Sequence, residues 1–360
     1  MTGFLMASGH IYKEIIMKFE TIVLNEARKV TLTAITQDVG GEFRGVTARP
    51  AVLVLPGGGY MFCSDREAEP VAMPYLKAGF QAFILRYSVM ADAVWPNPLD
   101  DYEQAMALIR EKAEDWHVIP DKIAVIGFSA GGHLAGAAAT MSVNRPNAAI
   151  LGYAVLKRET ALEIGSDNPD IIAHVDEKTC PCFLFATRTD SVVPIQNTLE
   201  MMDALNRRQT AFECHIYGYG PHGFSTADRS IIGQNDLLPA RASDWVEDSI
   251  AWLRDLFGAF GADGMCEPVC RPRVNDDGQA WLSLDCSIER IYGNPVAKQA
   301  LAEEFAVMEE KLVRFSPDMS FEDMMRAVGR MTLRDLLRER GLLVERFDAM
   351  DQALRSIPNI

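Results

Sequence analysis

No stretch of this 360-residue chain approaches the run of about 20 apolar residues that spans a bilayer. The first sixteen residues, MTGFLMASGHIYKEII, lack a basic start and a long apolar centre, so a secretory signal is not expected. Met17 opens a more natural beginning, MKFETIVLN, and residues 1–16 read as an N-terminal tail. Positive charge is short. There are 35 Lys and Arg against 50 Asp and Glu, a net charge of −15. That argues against nucleic acid and against an anionic membrane as partners, since both are met by clustered basic side chains. Cysteines number seven, an odd and scattered set. In a chain of this size they fit a reducing, cytoplasmic setting better than a disulfide framework. Cys266 and Cys270 have neither a second pair nor a neighbouring His, so no metal site is expected, and no cofactor is called for. Histidines number only six, which shortens any search for a catalytic base.

What is present is an alternation of apolar strands and amphipathic helices. FETIVLN and KVTLTAIT alternate and then break at Gly40-Gly41, a hairpin-like pair. AVLVLPGGG, QAFILRYSV, KIAVIGF, AAILGYAVL, CFLFATRTD and AFECHIYGYG read as buried strands. Between them, helices are expected over 65–79 and 98–116, after the glycine turn that follows KIAVIGF, and over VPIQNTLEMMDALNRRQ. WVEDSIAWLRDLFGAF closes the series as an amphipathic helix. Strand–helix alternation predicts an α/β fold, a doubly wound, mostly parallel sheet covered on both faces. This first domain is expected over 17–260, with a Gly- and Pro-containing linker at 261–279. Residues 280–360 read as a small helical C-terminal module. Leu301, Phe305, Met308 and Leu312 form one stripe, Ser320 and Thr332 cap two short helices, and Gly341 stops one. The module is a candidate surface for homo-oligomerisation.

The most informative segment is KIAVIGFSAGGHLAGAAA, 122–139. Within it Gly127-Phe128-Ser129-Ala130-Gly131 is a G-x-S-x-G nucleophile elbow, placed between a β-branched apolar run and a small-residue helix. Such a turn holds the serine hydroxyl clear of the sheet and aims the helix N-terminus at any oxyanion formed there. An activated serine needs a base, and the base needs an orienting carboxylate. In a doubly wound sheet these sit on loops at the carboxyl ends of strands. Asp190 ends the strand CFLFATRTD, and His222 follows AFECHIYGYG in GYGPHGFS. His133 lies on the nucleophile's own helix, His117 near a helix end, His215 inside a strand, His174 in a polar insertion and His10 in the tail, so none competes well. Asp176, a rival acid, falls at the wrong end of its strand. A histidine base further predicts activity that declines in acid.

The oxyanion of an acyl-transfer intermediate needs preorganised donors. The Ala130 N–H is one. The others are expected from Pro56-Gly57-Gly58-Gly59-Tyr60, with the Gly58 and Gly59 amides the favoured pair. Tyr60, Trp95 and Phe128 are candidates for lining the substrate pocket.

Together these residues resemble the α/β-hydrolase fold and, more closely, the acetyl-esterase and acetylxylan-esterase-like serine esterases. The motifs are LPGGGY at 55–60, DREAEPVA at 65–72, FILRYS at 83–88, NPLDDYEQA at 97–105, IGFSAGGHLA at 126–135, TDSVVP at 189–194 and GPHGFS at 220–225. The order Ser129, Asp190, His222 is that family's triad order. Many relatives carry His at the place of Pro56, a position that supports loop geometry. The resemblance implies hydrolysis of short-chain esters, acetyl groups on xylan-type oligosaccharides among them, with a small ester or acetylated sugar as substrate. A prolyl-oligopeptidase-like serine peptidase shares the triad but brings a large preceding domain, for which about 50 residues ahead of the oxyanion loop are too few. A ligand-binding homologue without chemistry is the remaining alternative, and the full Ser, Asp and His set argues against it.

Overall fold

A computed structural model describes residues 17–163, 165–233, 237–262, 264–273, 281–312 and 319–359. The tail 1–16, with His10, lies outside the described residues. Eight strands form one sheet: β1 (Lys18–Asn25), β2 (Val30–Thr36), β3 (Arg49–Leu55), β4 (Gln81–Arg86), β5 (Val118–Phe128), β6 (Ala148–Gly152), β7 (Cys182–Thr187) and β8 (Phe212–Tyr217). Their spatial order is β1-β2-β4-β3-β5-β6-β7-β8. β1 pairs antiparallel with β2, and β2 antiparallel with β4; every other pairing is parallel. The hairpin-like pair expected at the start therefore forms one edge of the sheet, and the parallel strands carry the rest.

Helices alternate with these strands: α1 (Glu69–Lys77), α2 (Asn97–Glu111), α3 (Ser129–Thr140), α4 (Arg158–Glu163), α5 (Gln196–Arg207), α6 (Arg229–Ile232) and α7 (Trp245–Phe257). The two-residue period of a strand sends alternate side chains to opposite faces. Leu53, Leu55, Val125, Leu151 and Leu184 thus pack with Tyr102 and Met106 of α2, Leu134 of α3 and Met201 of α5. Val52, Val54, Ile126, Ile150 and Phe183 pack with Val71 and Tyr75 of α1 and Trp245 and Leu253 of α7. Both faces of the central strands are buried, which is why they read as continuous apolar runs.

Several expected boundaries move. The helix expected over 65–79 is a 3₁₀ turn at Asp65–Glu67 followed by α1, with a break at Ala68. The helix over 98–116 ends at Glu111, and a turn brings Trp116 back onto Phe83, ring centroids 5.1 Å apart. The strands QAFILRYSV and AAILGYAVL stop at Arg86 and Gly152, because their last residues turn across the carboxyl edge of the sheet.

The chain divides into two compact units, Met1–Cys270 and Arg271–Ile360. The segment expected as a linker from 261 belongs in its first part to the first unit. β9 (Phe260–Gly261) pairs with β10 (Gly264–Met265), and the Val269 and Cys270 amides donate to the Asp255 carbonyl. In the second unit, α8 (Ile288–Gly293), α9 (Pro295–Ala300), α10 (Ala302–Leu312), α11 (Phe321–Ala327), α12 (Leu333–Glu339) and α13 (Phe347–Leu354) bury their own apolar core. Ser320 and Thr332 cap α11 and α12 through the Asp323 and Asp335 amides. Among the described residues no helix is long and apolar enough to cross a membrane.

Candidate active site

Ser129 is the first residue of α3 and the residue after the last of β5. Its φ is +53°, a left-handed conformation that L-residues adopt at a cost and that marks a site held by its surroundings. The helix must pass close under the strand loop to hold this turn: a Cβ on Gly131 would stand 2.1 Å from the Leu55 carbonyl oxygen. The small residues of α3 allow that approach, and all twelve are buried. The helix N-terminus, with its partial positive charge, faces the serine.

The parallel strands β5, β7 and β8 bring their carboxyl ends to one edge of the sheet, and the loops there carry the three side chains. His222 Nε2 lies 2.9 Å from Ser129 Oγ. His222 Nδ1 lies 2.7 Å from Asp190 Oδ2. The Asp190 carboxyl is buried, with its other oxygen accepting from the Val192 and Val193 amides at 2.8 and 2.9 Å. A carboxylate is an acceptor only, so the Asp190 contact requires Nδ1–H as the donor, which leaves Nε2 free to accept a hydrogen bond from the serine hydroxyl. The imidazole rests on the edge of the Tyr153 ring, centroids 5.0 Å apart. The rival Asp176 is engaged elsewhere: Arg145 binds it in a bidentate pair and holds its carboxyl below the usual range.

The loop after β3 supplies the amides. The Gly57 N–H is taken by Glu67 Oε2 at 2.9 Å. The Gly58 and Gly59 N–H groups make no hydrogen bond among the described residues, and the Ala130 N–H stands in the first turn of α3, where no preceding carbonyl can reach it. These are the three amides expected as oxyanion donors.

Of the pocket candidates, Phe128 is a correction. Its side chain is fully buried among Tyr153, Phe185 and Trp245, so it supports the elbow from beneath and lines no pocket. Tyr60 is also buried, its hydroxyl 2.8 Å from His133 Nδ1. His133 Nε2 meets the Pro169 carbonyl at 3.0 Å, which requires Nε2–H and makes Nδ1 the acceptor of the Tyr60 O–H. Burial lowers the His133 pKa to about 4, so the ring stays neutral. Trp95 packs edge-on against it at 5.6 Å and keeps partial exposure.

Two residues near the serine carried no signal as single letters. Glu67 is 3 % exposed, and its carboxylate bonds the Gly57 amide and, at 2.5 Å, the Tyr153 hydroxyl. Burial raises its pKa. Neither Glu67 within DREAEPVA nor Tyr153 within AAILGYAVL is marked by spacing, because the contact joins positions 86 apart.

Comparison with known proteins bears on this arrangement. The BD-FAE family model matches residues 44–145, and the prolyl oligopeptidase family model matches residues 96–239. MGS-M1, an alpha/beta hydrolase enzyme from a Medee basin deep-sea metagenome library, is 42% identical. The match covers 67% of this chain and 98% of that one, with a TM-score of 0.63. The acetyl ester-xyloside bifunctional hydrolase from Caldicellulosiruptor lactoaceticus is 28% identical over 64% of this chain and 89% of its own, with a TM-score of 0.56. Acetylxylan esterase of Xylanibacter ruminicola is 26% identical over 246 residues, 62% of this chain and 49% of the relative. Of the first curated relatives the chain spans only a third to a half of the length.

Proposed function

Because this chain belongs to the α/β-hydrolase family, alongside carboxylesterases and an acetylxylan esterase, we propose that it is a serine carboxylic ester hydrolase with short acyl groups as substrate. Acetyl groups on xylan-type oligosaccharides are the favoured class. The observation that carries this reading is the unbroken chain Asp190–His222–Ser129, with hydrogen-bond distances of 2.7 and 2.9 Å. The sugar class is supported by the names of the acetylxylan esterase and the acetyl ester-xyloside hydrolase.

In this mechanism Ser129 Oγ attacks the acyl carbon while His222 Nε2 takes its proton. Asp190 fixes the imidazole tautomer and stabilises the imidazolium. The carbonyl electron pair moves to oxygen, which receives hydrogen bonds from two or more of the Gly58, Gly59 and Ala130 amides. Collapse expels the alcohol, which leaves with the proton from His222. Water, deprotonated by the same nitrogen, then cleaves the acyl-enzyme and restores Ser129.

A serine peptidase of the prolyl-oligopeptidase type is the second reading, favoured by the family match over 96–239, a span that holds Ser129, Asp190 and His222. One panel separates the two: p-nitrophenyl esters of increasing chain length, acetylated xylo-oligosaccharides and a prolyl p-nitroanilide. A steep preference for acetate with release of acetate from the oligosaccharides is expected. Turnover of the anilide with inert esters would reverse the assignment.

A further inference from the structure

Glu67 takes no part in the chemistry above, yet it is among the most buried charged side chains near the serine. An ionised carboxylate out of water costs several kcal/mol unless donors satisfy it. Two do. Oε2 accepts the Gly57 N–H and Oε1 accepts the Tyr153 O–H. The Tyr153 oxygen in turn accepts the Ser225 N–H at 2.9 Å, three residues beyond His222. Ser225 Oγ closes the circuit by donating to the Arg66 carbonyl at 2.5 Å. One carboxylate therefore ties together the loop after β3, the end of β6 and the loop after β8.

The first and last of these loops carry separate parts of the proposed machinery. Gly57 precedes the two favoured oxyanion donors, and a Cβ at Gly57 would stand 2.7 Å from Glu67 Oε2 and 3.2 Å from Ser129 Cβ. Its peptide is wedged between the carboxylate and the elbow, so capture of its N–H sets the plane from which the next two amides follow. At the other end, Tyr153 holds the Ser225 amide with its oxygen and the imidazole with its ring. An oxyanion hole draws its strength from donors fixed before the charge develops.

We propose that Glu67 is a positioning residue of this site, holding the oxyanion loop and the His222 loop in register through Gly57 and the Tyr153–Ser225 bridge. The inference rests on the serine-esterase reading. Its test uses the full chain with E67Q and Y153F, alone and combined. The Gln side chain keeps the shape of Glu67 but replaces one acceptor oxygen with an NH2 donor, so it cannot accept from both the Gly57 N–H and the Tyr153 O–H; Phe leaves the Ser225 amide without its acceptor. Each variant is expected to lower kcat on p-nitrophenyl acetate about ten- to a hundredfold, with KM changed less than about threefold. The double variant is expected to be no worse than the poorer single one, because both cut the same link. Affinity for a boronic acid that forms a tetrahedral adduct should fall in step with kcat/KM.

A role in folding alone would lower the melting temperature and the titrated fraction of active sites while leaving kcat per site unchanged. That result, or an E67Q enzyme with unaltered kcat, overturns the inference. An unmodified chain that turns over no ester overturns the esterase reading instead. Amide hydrogen exchange at Gly57 and Ser225 then decides this inference separately: faster exchange in E67Q supports it, and unchanged exchange overturns it.

Discussion

His222 Nε2 stands 2.9 Å from Ser129 Oγ, although 93 positions separate the two residues. The distance follows from sheet order. β5, β6, β7 and β8 lie side by side and parallel, so the loops after the first, third and fourth of them share one edge. The serine turn is held by α3, the carboxylate by the Val192 and Val193 amides, and the imidazole by both the carboxylate and the Tyr153 ring. Each reactive side chain is thus positioned by a neighbour that does no chemistry.

The roles assigned to the three residues predict unequal losses. Ser129→Ala should reduce kcat/KM on p-nitrophenyl acetate by about 10⁶-fold with the melting temperature nearly unchanged. Asp190→Asn should lose less, about 10⁴-fold, because its oxygen can still accept from Val192 and Val193 while the imidazole tautomer is lost. Steady-state kinetics with a matched thermal melt checks both. Equal activity in Ser129→Ala and the unmodified chain would remove the serine from the mechanism.

The oxyanion loop separates two neighbouring glycines. At Gly58, φ is +133° and a Cβ would stand 2.1 Å from the Phe62 carbonyl oxygen. At Gly59, φ is +62° and nothing lies within 4 Å. Gly58→Ala should therefore reshape the loop and abolish most turnover. Gly59→Ala should cost about 1–2 kcal/mol of stability, the penalty of a Cβ in the left-handed region, and leave a working site. Denaturant melts and kcat for both variants decide the point.

His133 predicts a pH window for stability. Its folded pKa is lowered by burial from 6.5 to about 4, so the unfolded chain binds the proton at higher pH. The contribution is fully present above about pH 6.5 and is lost as pH falls toward 4, amounting to about 3 kcal/mol across the window. His133→Gln, which does not titrate, should show that much less decline between pH 7 and pH 4 in matched urea melts. Equal declines would contradict the assignment of a neutral, buried imidazole.

Among the described residues, the two apolar clusters on the sheet take none beyond Cys270, and the cluster of the second unit takes none before Leu282. A chain ending at Cys270 should therefore keep its cooperative melt and its ester turnover. A chain ending at Ala262 should melt lower, since it loses β10 and the amides that bond Asp255. Light scattering on both would show whether self-association depends on residues 271–360.

Much of this architecture was legible in the letters because it rests on local rules. Continuous apolar runs mark strands buried on both faces, and the G-x-S-x-G turn marks the elbow. Asp190 and His222 could be found because loops at strand ends are short and histidines few. Other features depend on which distant residues meet. Phe128 reads as a pocket wall until Trp245 and Phe185 close over it. His133 and Tyr60, 73 positions apart, bond only once α3 lies against the oxyanion loop. Glu67 is ordinary until Tyr153 buries it. The antiparallel β2 between β1 and β4 likewise follows from partner choice, which alternation in one strand does not specify.

The central claim is that Ser129 is the nucleophile and His222 its base. Intact-mass and peptide-mapping analysis after reaction with a fluorophosphonate tests it most directly. The account predicts one adduct, on the peptide holding Ser129, formed as acetate turnover disappears, and little or none in His222→Ala. An adduct on another serine, or full turnover after Ser129 is modified, would contradict it.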